Sequence, residues 1–200
     1  PNAAALRFVV EGDGTGYTNV EGEQMLMEPG DLVLTPHWTW HDHFNCGKKN
    51  LVWLDVLDAQ LTSYLDANFH ENFAEGPAQP IVKPDGYGRQ QYGAIRPRLA
   101  NVSNAALPYN YKWRDTERAL NEVCASGHRD DHDSVLLEYS HPITGGPTMP
   151  TIGCWVQMIP PGESTKAHRH TSSTIYHVVQ GSGVTTVGKQ KGGGKQLGWG

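Results

Sequence analysis

Short apolar runs punctuated by glycine, proline and small polar residues organise the first 57 positions. The run at 6–10, Leu-Arg-Phe-Val-Val, ends in Glu11-Gly12-Asp13-Gly14, whose glycines can take the positive φ that hairpin turns require. Runs at 17–20, 24–27, 32–34 and 51–56 follow, with turns at 21–23 and 28–30. The run at 32–34 enters a turn at Pro36, beyond which another strand carries His41 and His43 among aromatic residues. Six or seven short strands with regular turns predict a barrel or a sandwich.

From Asp58 the period changes. Leu61, Tyr64, Leu65 and Phe69 recur at helical spacing and predict a short amphipathic helix. Residues 76–110 are rich in Pro, Gly, Gln and Asn and read as a long connecting segment. Residues 113–123 predict a second helix, with Asp115 or Thr116 as N-cap and Gly127 as its stop. Strand patterns resume at 135–139, 151–159 and 174–179, with turns at 160–162 and 181–183. Residues 170–183 align without gaps to residues 1–14, sharing a polar start, an apolar strand and a GxG turn. Such a repeat indicates two copies of one barrel. The expected architecture is all-β with a partly helical connector, divided at 1–57, 58–134 and 135–200.

Composition narrows the class. The 38% hydrophobic and 9% aromatic content of the 200 residues supports a buried core. A net charge of -5 without a basic run argues against nucleic acid or an anionic membrane as partner. No run approaches the roughly eighteen consecutive apolar residues of a membrane span, and residue 1 opens no signal peptide pattern. Cys46, Cys124 and Cys154 are odd in number and widely spaced, which predicts reduced thiols in a cytoplasmic protein rather than a disulfide framework.

The chemistry gathers at the histidines. His41 and His43 stand two apart in a strand, so both imidazoles share one face. Imidazole is the commonest biological metal ligand and a proton shuttle near neutral pH, and either role suits the pair. By itself the pair also fits a solvated turn. Read from residue type alone, Arg7 pairs with Glu11 or another acid of the barrel, and Asp55 ends a strand in a turn with Asp58. The cluster His128-Arg-Asp-Asp-His-Asp133 reads as a solvated turn and receives no role.

Spacing adds a resemblance. Gly30, five residues, Pro36, one residue, Trp38, two residues, His41, three residues, Asn45 is similar to the second cupin motif, with Trp38 at that motif's second glycine. Gly162, five residues, His168, Arg169, His170, and Gly181 eleven residues on, are similar to the first cupin motif, with Thr174 where glutamate is usual. The chain thus resembles the middle of a bicupin with two incomplete double-stranded β-helix barrels. More closely, the segments 5–12, 28–36, 38–43, 52–55, 111–120 and 168–178 resemble, in order, those of gentisate 1,2-dioxygenases and of the related salicylate and 1-hydroxy-2-naphthoate enzymes.

The resemblance implies a ring-cleaving dioxygenase that uses Fe(II) and O2 to convert gentisate to maleylpyruvate, assembled as a homo-oligomer, typically a tetramer. By motif, His41 is the third iron ligand, its partner HxH pair falling at or before Pro1. His43 faces the substrate or oxygen, Arg7 takes the substrate carboxylate, and Asp55 lies near the ring hydroxyl or orients a neighbour. His168 and His170 form a candidate metal site in the second barrel, or a solvent-facing remnant of one. Two other readings stand beside this: a bicupin that binds without catalysis, and a cupin isomerase or decarboxylase.

Overall fold

The computed structural model describes residues 1–92, 95–98, 108–188 and 194–200. The chain forms two compact units, Pro1–Lys166 and Ala167–Gly200. Residues 93–94 and 99–107 of the connecting segment lie outside the described residues.

The first unit opens with six strands: β1 (Ala5–Glu11), β2 (Tyr17–Val20), β3 (Glu23–Leu26), β4 (Leu32–Thr35), β5 (His41–Phe44) and β6 (Val52–Leu57). These fall on the runs read from the sequence, shifted by a residue or so at their ends. They are followed by helices α1 (Ala59–Tyr64) and α2 (Tyr87–Tyr92), strand β7 (Tyr109–Tyr111), helix α3 (Trp113–Ala125) and strands β8 (Val135–Glu138) and β9 (Trp155–Met158). One antiparallel sheet has the order β6-β1-β4-β7, a second the order β3-β2-β5, and β8 and β9 pair with each other.

Strand alternation sends the two faces of the first sheet into two cores. Leu6, Leu32 and Leu34 join Ala4, Tyr139 and Met149, with Tyr111, Cys154 and Val156 packed alongside. Val9 and Val33 face the other way, against Val20, Met25 and Met27, with Leu51 and Trp53 at the rim. This second core lies between the two larger sheets. Arg7 is two residues from Val9 on β1, so its side chain enters the same interior.

In this unit α1, α2, β7 and α3 depart from the sequence reading. The first helix stops at Tyr64, so Phe69 lies beyond it. The connecting segment supplies α2 and the edge strand β7, whose three residues are too short to show a period. Helix α3 begins earlier than its capping residues suggest: Lys112 is the N-cap, and Asp31 Oδ1 accepts the Trp113 N–H at 2.9 Å from a distant turn. At that turn Gly30 has φ +89 and lies against the Trp113 ring, where a Cβ would come within 2.6 Å of its Cγ. Gly127, at φ +77, follows the helix end as expected.

The second unit holds one antiparallel hairpin, β10 (Gly183–Val187) with β11 (Lys195–Trp199). Residues 174–179 were expected as a strand but carry no ladder, and most are exposed. An apolar alternating run becomes a strand only when another edge completes its hydrogen bonds, and none does so among the described residues. Cys46, Cys124 and Cys154 are free. No helix among the described residues is long and apolar enough to cross a membrane.

Candidate functional site

Four of the residues singled out by sequence are brought near one another by the two larger sheets, with Arg7 buried, His41 half-buried, and His43 and Asp55 exposed. The β1–β6 register sets Arg7 opposite Asp55, and the β1–β4 register sets Arg7 opposite Val33. Directly opposed residues in a ladder share a face, so Asp55 is brought to Arg7 by strand pairing. From the facing sheet, β5 sets His41 opposite Val20 and His43 opposite Thr18. The two imidazole centroids lie 5.7 Å apart.

Arg7 is only 3% exposed, an unusual position for a guanidinium. One terminal nitrogen donates to Thr35 Oγ1, and Nε lies 3.3 Å from Asp55 Oδ1. That approach is an ion pair without hydrogen-bonding geometry, so the buried Nε–H remains unspent. Burial lowers the guanidinium's pKa and the Asp55 charge opposes the shift. Arginine titrates too high for this to remove its charge.

The same cation acts on the histidines. Burial lowers the His41 pKa, Arg7 lowers it further, and the Thr39 carbonyl, 3.3 Å from Nδ1, pulls the other way. His43 is pushed down to about 4 by burial first, then by Arg7 and His41. One edge of His43 stays exposed, while its ring packs 5.1 Å from Trp53 and its Nδ1 lies 2.9 Å from Thr18 Oγ1. Both imidazoles are therefore neutral near pH 7, the state in which a ring nitrogen can accept a proton or a metal.

Thr18, Thr35 and Trp53 hold this constellation and were not singled out as site residues. Their signal was present in outline, because each lies an even number of residues from another interior position on its own strand. Recognising them required the register. Trp38 carries a second signal: its φ is +57 at the position where the cupin spacing has glycine. Its N–H donates to the Pro1 carbonyl at 3.0 Å and its ring packs 4.8 Å from Phe69. The backbone keeps the left-handed turn, and aromatic packing offsets the strain of a side chain there.

A cupin domain profile matches residues 1–57, and an auxin binding protein profile matches residues 139–196. The chain is 40% identical over 190 residues to a 5-aminosalicylate 1,2-dioxygenase of Comamonas sp, covering 92% of the chain and 50% of that relative. It is 37% identical over 200 residues to a gentisate 1,2-dioxygenase of Haloferax sp, covering 93% and 55%. A crystal structure of a salicylate 1,2-dioxygenase from Pseudaminobacter salicylatoxidans superposes with a TM-score of 0.61 at 33% identity, covering 77% of this chain and 45% of that one. Over nine-tenths of its length the chain is similar to ring dioxygenases of the gentisate 1,2-dioxygenase type, and its first 57 residues match a cupin domain. It spans about half the length of the curated relatives it matches.

For a chain with such relatives the question of a metal arises at once. A metal needs several donors converging on one point. No group of three or more His, Cys, Asp or Glu side chains among the described residues could hold an ion. His41 and His43 provide two imidazoles, and the nearby carboxylate of Asp55 is engaged with Arg7. The described residues thus do not make a complete metal site by themselves.

His168 and His170 lie in the second unit, both exposed, with their Nε2 atoms 2.9 Å apart. The cluster at 128–133 forms a tight turn, closed by bonds between the backbones of Asp130 and Ser134. Arg129 beside it pairs with Glu163 at 3.1 Å, and Lys166 pairs with Asp131 at 2.5 Å.

Proposed function

We propose that the chain is part of a ring-cleaving dioxygenase acting on a hydroxylated aromatic carboxylic acid, with gentisate as substrate, Fe(II) as metal and O2 as the second reactant. The observation that carries this reading is Arg7: a buried cation with an unspent N–H, beside a carboxylate and two neutral imidazoles. A guanidinium in an apolar interior favours a carboxylate strongly, because charge-assisted bonds gain where water is excluded. In this reading Arg7 takes the substrate carboxylate, Asp55 accepts from the ring hydroxyl, and His43 faces the substrate or oxygen. His41 is the iron ligand that this chain's first barrel supplies, and the remaining donors lie outside the described residues. His168 and His170 are a candidate metal pair of the second barrel. Residues 1–57 are read as the later part of the first barrel and 135–200 as the earlier part of the second. A cytoplasmic homo-oligomer, of four copies by family resemblance, completes the reading.

The overall reaction breaks the bond between the carboxyl-bearing and hydroxyl-bearing ring carbons and adds one atom of O2 to each of them, giving maleylpyruvate from gentisate. A salicylate-type substrate is the second reading, favoured by the 40% identity to a 5-aminosalicylate 1,2-dioxygenase. The test uses the complete-length protein, loaded anaerobically with Fe(II) and mixed with O2 and gentisate, salicylate or 1-hydroxy-2-naphthoate. Oxygen uptake and a ring-opened chromophore with one of these acids, both lost in His41→Ala, are the expected result. Iron binding with no ring opening of any of the three overturns the dioxygenase reading in favour of a binding protein or another cupin enzyme.

A further inference from the structure

Asp42 stands between His41 and His43, and strand alternation turns its side chain to the opposite face of β5. There its carboxylate meets the connecting segment. Asp42 Oδ2 accepts the Gln79 backbone N–H at 3.0 Å and the Gln79 side-chain Nε2 at 3.2 Å. Asn19, opposite Asp42 in the β2–β5 ladder, reaches the same oxygen at 3.5 Å and donates to the Gln79 carbonyl at 3.1 Å. Gln79 Nε2 also approaches the Asn19 carbonyl at 3.4 Å. One carboxylate oxygen thus gathers a strand neighbour and a distant loop.

The loop is itself tied down along the β2–β3 hairpin. Val82 N–H and Lys83 N–H both donate to the Gly22 carbonyl at 2.9 Å, and Gln24 N–H donates to the Lys83 carbonyl at 3.0 Å. Lys83 Nζ reaches the Glu21 carbonyl at 2.8 Å, and Asp85 Oδ1 accepts the Leu26 N–H at 3.0 Å. The strap over 79–85 therefore moves with the hairpin rather than as a free loop. Among the described residues β5, four residues long, ladders to β2 alone.

We propose that Asp42 is the positioning residue of the histidine strand, coupling the pitch of β5, and with it the His41 and His43 rings, to the connector strap through Gln79. The inference rests on the functional reading above for its catalytic consequence and on geometry alone for its mechanical one. Asp42 touches neither substrate nor metal in this account. It acts by holding the strand whose opposite face carries both imidazoles, where a displacement of the order of 1 Å costs rate out of proportion to stability.

The experiment compares Asp42→Ala, Asp42→Asn and Gln79→Ala in the complete-length protein by backbone amide exchange and by steady-state ring opening. In Asp42→Ala, exchange over 41–44 accelerates about tenfold or more while that of 5–9 and 32–35 is unchanged. In the same variant kcat falls about tenfold, with KM for the aromatic acid within about a factor of two. Asp42→Asn keeps an acceptor oxygen and restores both readouts. Gln79→Ala retains its backbone N–H and lies between, and it decides the matter should Asp42→Ala fail to fold. Unchanged exchange at 41–44, a uniform rise over all strands, or an Asn variant as impaired as the Ala variant overturns the proposal. A wild-type protein that opens no aromatic acid counts against the dioxygenase reading, while the exchange measurement still decides whether Asp42 holds β5.

Discussion

Arg7 is the residue at which fold and chemistry meet, because its burial is costly unless its donors are used. Thr35 and Asp55 use some of them, and the Nε–H is left over. Asp55 is 38% exposed, so solvent weakens its hold on the guanidinium. Asp55→Asn is therefore expected to destabilise the fold by only about 1–2 kcal/mol, read by urea denaturation. Arg7→Met keeps the length of the side chain and removes the cation. In the complete-length protein it is expected to lower kcat/KM for the aromatic acid about a hundredfold, the equivalent of about 2–3 kcal/mol of charge-assisted bonding. A variant with an unchanged kcat/KM would remove Arg7 from the substrate site.

Glu23 offers a residue-scale test of electrostatics away from the site. Its carboxyl is 4% exposed, and burial raises its pKa despite the Gly88 N–H at 2.9 Å and the charges of Lys83 and Arg89. A raised carboxyl pKa means that the folded chain holds the proton longer than the unfolded one. The fold is then most favoured at this position below the unfolded value, and stability is lost as pH rises through the folded value. Glu23→Gln removes that dependence. Its stability relative to the parent protein is expected to improve between about pH 4 and pH 7, measured by thermal denaturation across that range. A difference that stays flat with pH would show that the buried carboxyl carries no such penalty.

Among elements, the lock between α3 and the turn before β4 is the clearest case of structure made by distant partners. Lys112 is 5% exposed and Asp31 0%. The ammonium reaches Asp31 Oδ2 at 2.6 Å, Glu28 Oε2 at 2.8 Å and the Leu26 carbonyl at 3.2 Å, one acceptor for each proton. Asp31 in turn accepts the N–H groups of Glu28 and Trp113. Lys112→Met leaves a buried carboxylate without its cation and is expected to cost about 3–5 kcal/mol by chemical denaturation. Adding Asp31→Asn to that variant should recover part of the loss, and strict additivity would show that the two residues do not act as a pair. This lock also explains what the sequence left hidden. The six opening strands, including the one that carries His41 and His43, were legible because apolar alternation and turn residues are local signals. The N-cap of α3 was not, because its partner is eighty positions away in the chain and the local candidates, Asp115 and Thr116, fall inside the helix. Arg7 and Asp55 could be paired only through the β1–β6 register, which depends on where two strands forty or more residues apart align. The strand expected at 174–179 failed for the complementary reason: its pattern is local, but a ladder needs a second edge.

At the scale of the molecule, stability is unevenly distributed between the two units. The first buries two apolar clusters, with Val9, Val20, Met25, Met27 and Val33 of one of them at 0% exposure. Among its described residues the second has one two-stranded ladder, and its apolar side chains face solvent, with Ile175 at 71%, Tyr176 at 73% and Val184 at 63%. A side-chain bond from Trp199 Nε1 to Thr185 Oγ1 at 3.1 Å reinforces that hairpin. An isolated two-stranded hairpin is at best marginally stable in water, and open segments exchange and are cleaved first. Brief proteolysis of this 200-residue chain is expected to cut within 167–182 before any site in 1–57, leaving a protected fragment that contains β1–β9. Mass spectrometry of the early products, alongside amide exchange, reads the order directly. Early cuts inside β1 or β4, or exchange at 167–182 as slow as in those strands, would show that the buried clusters do not set the order of opening.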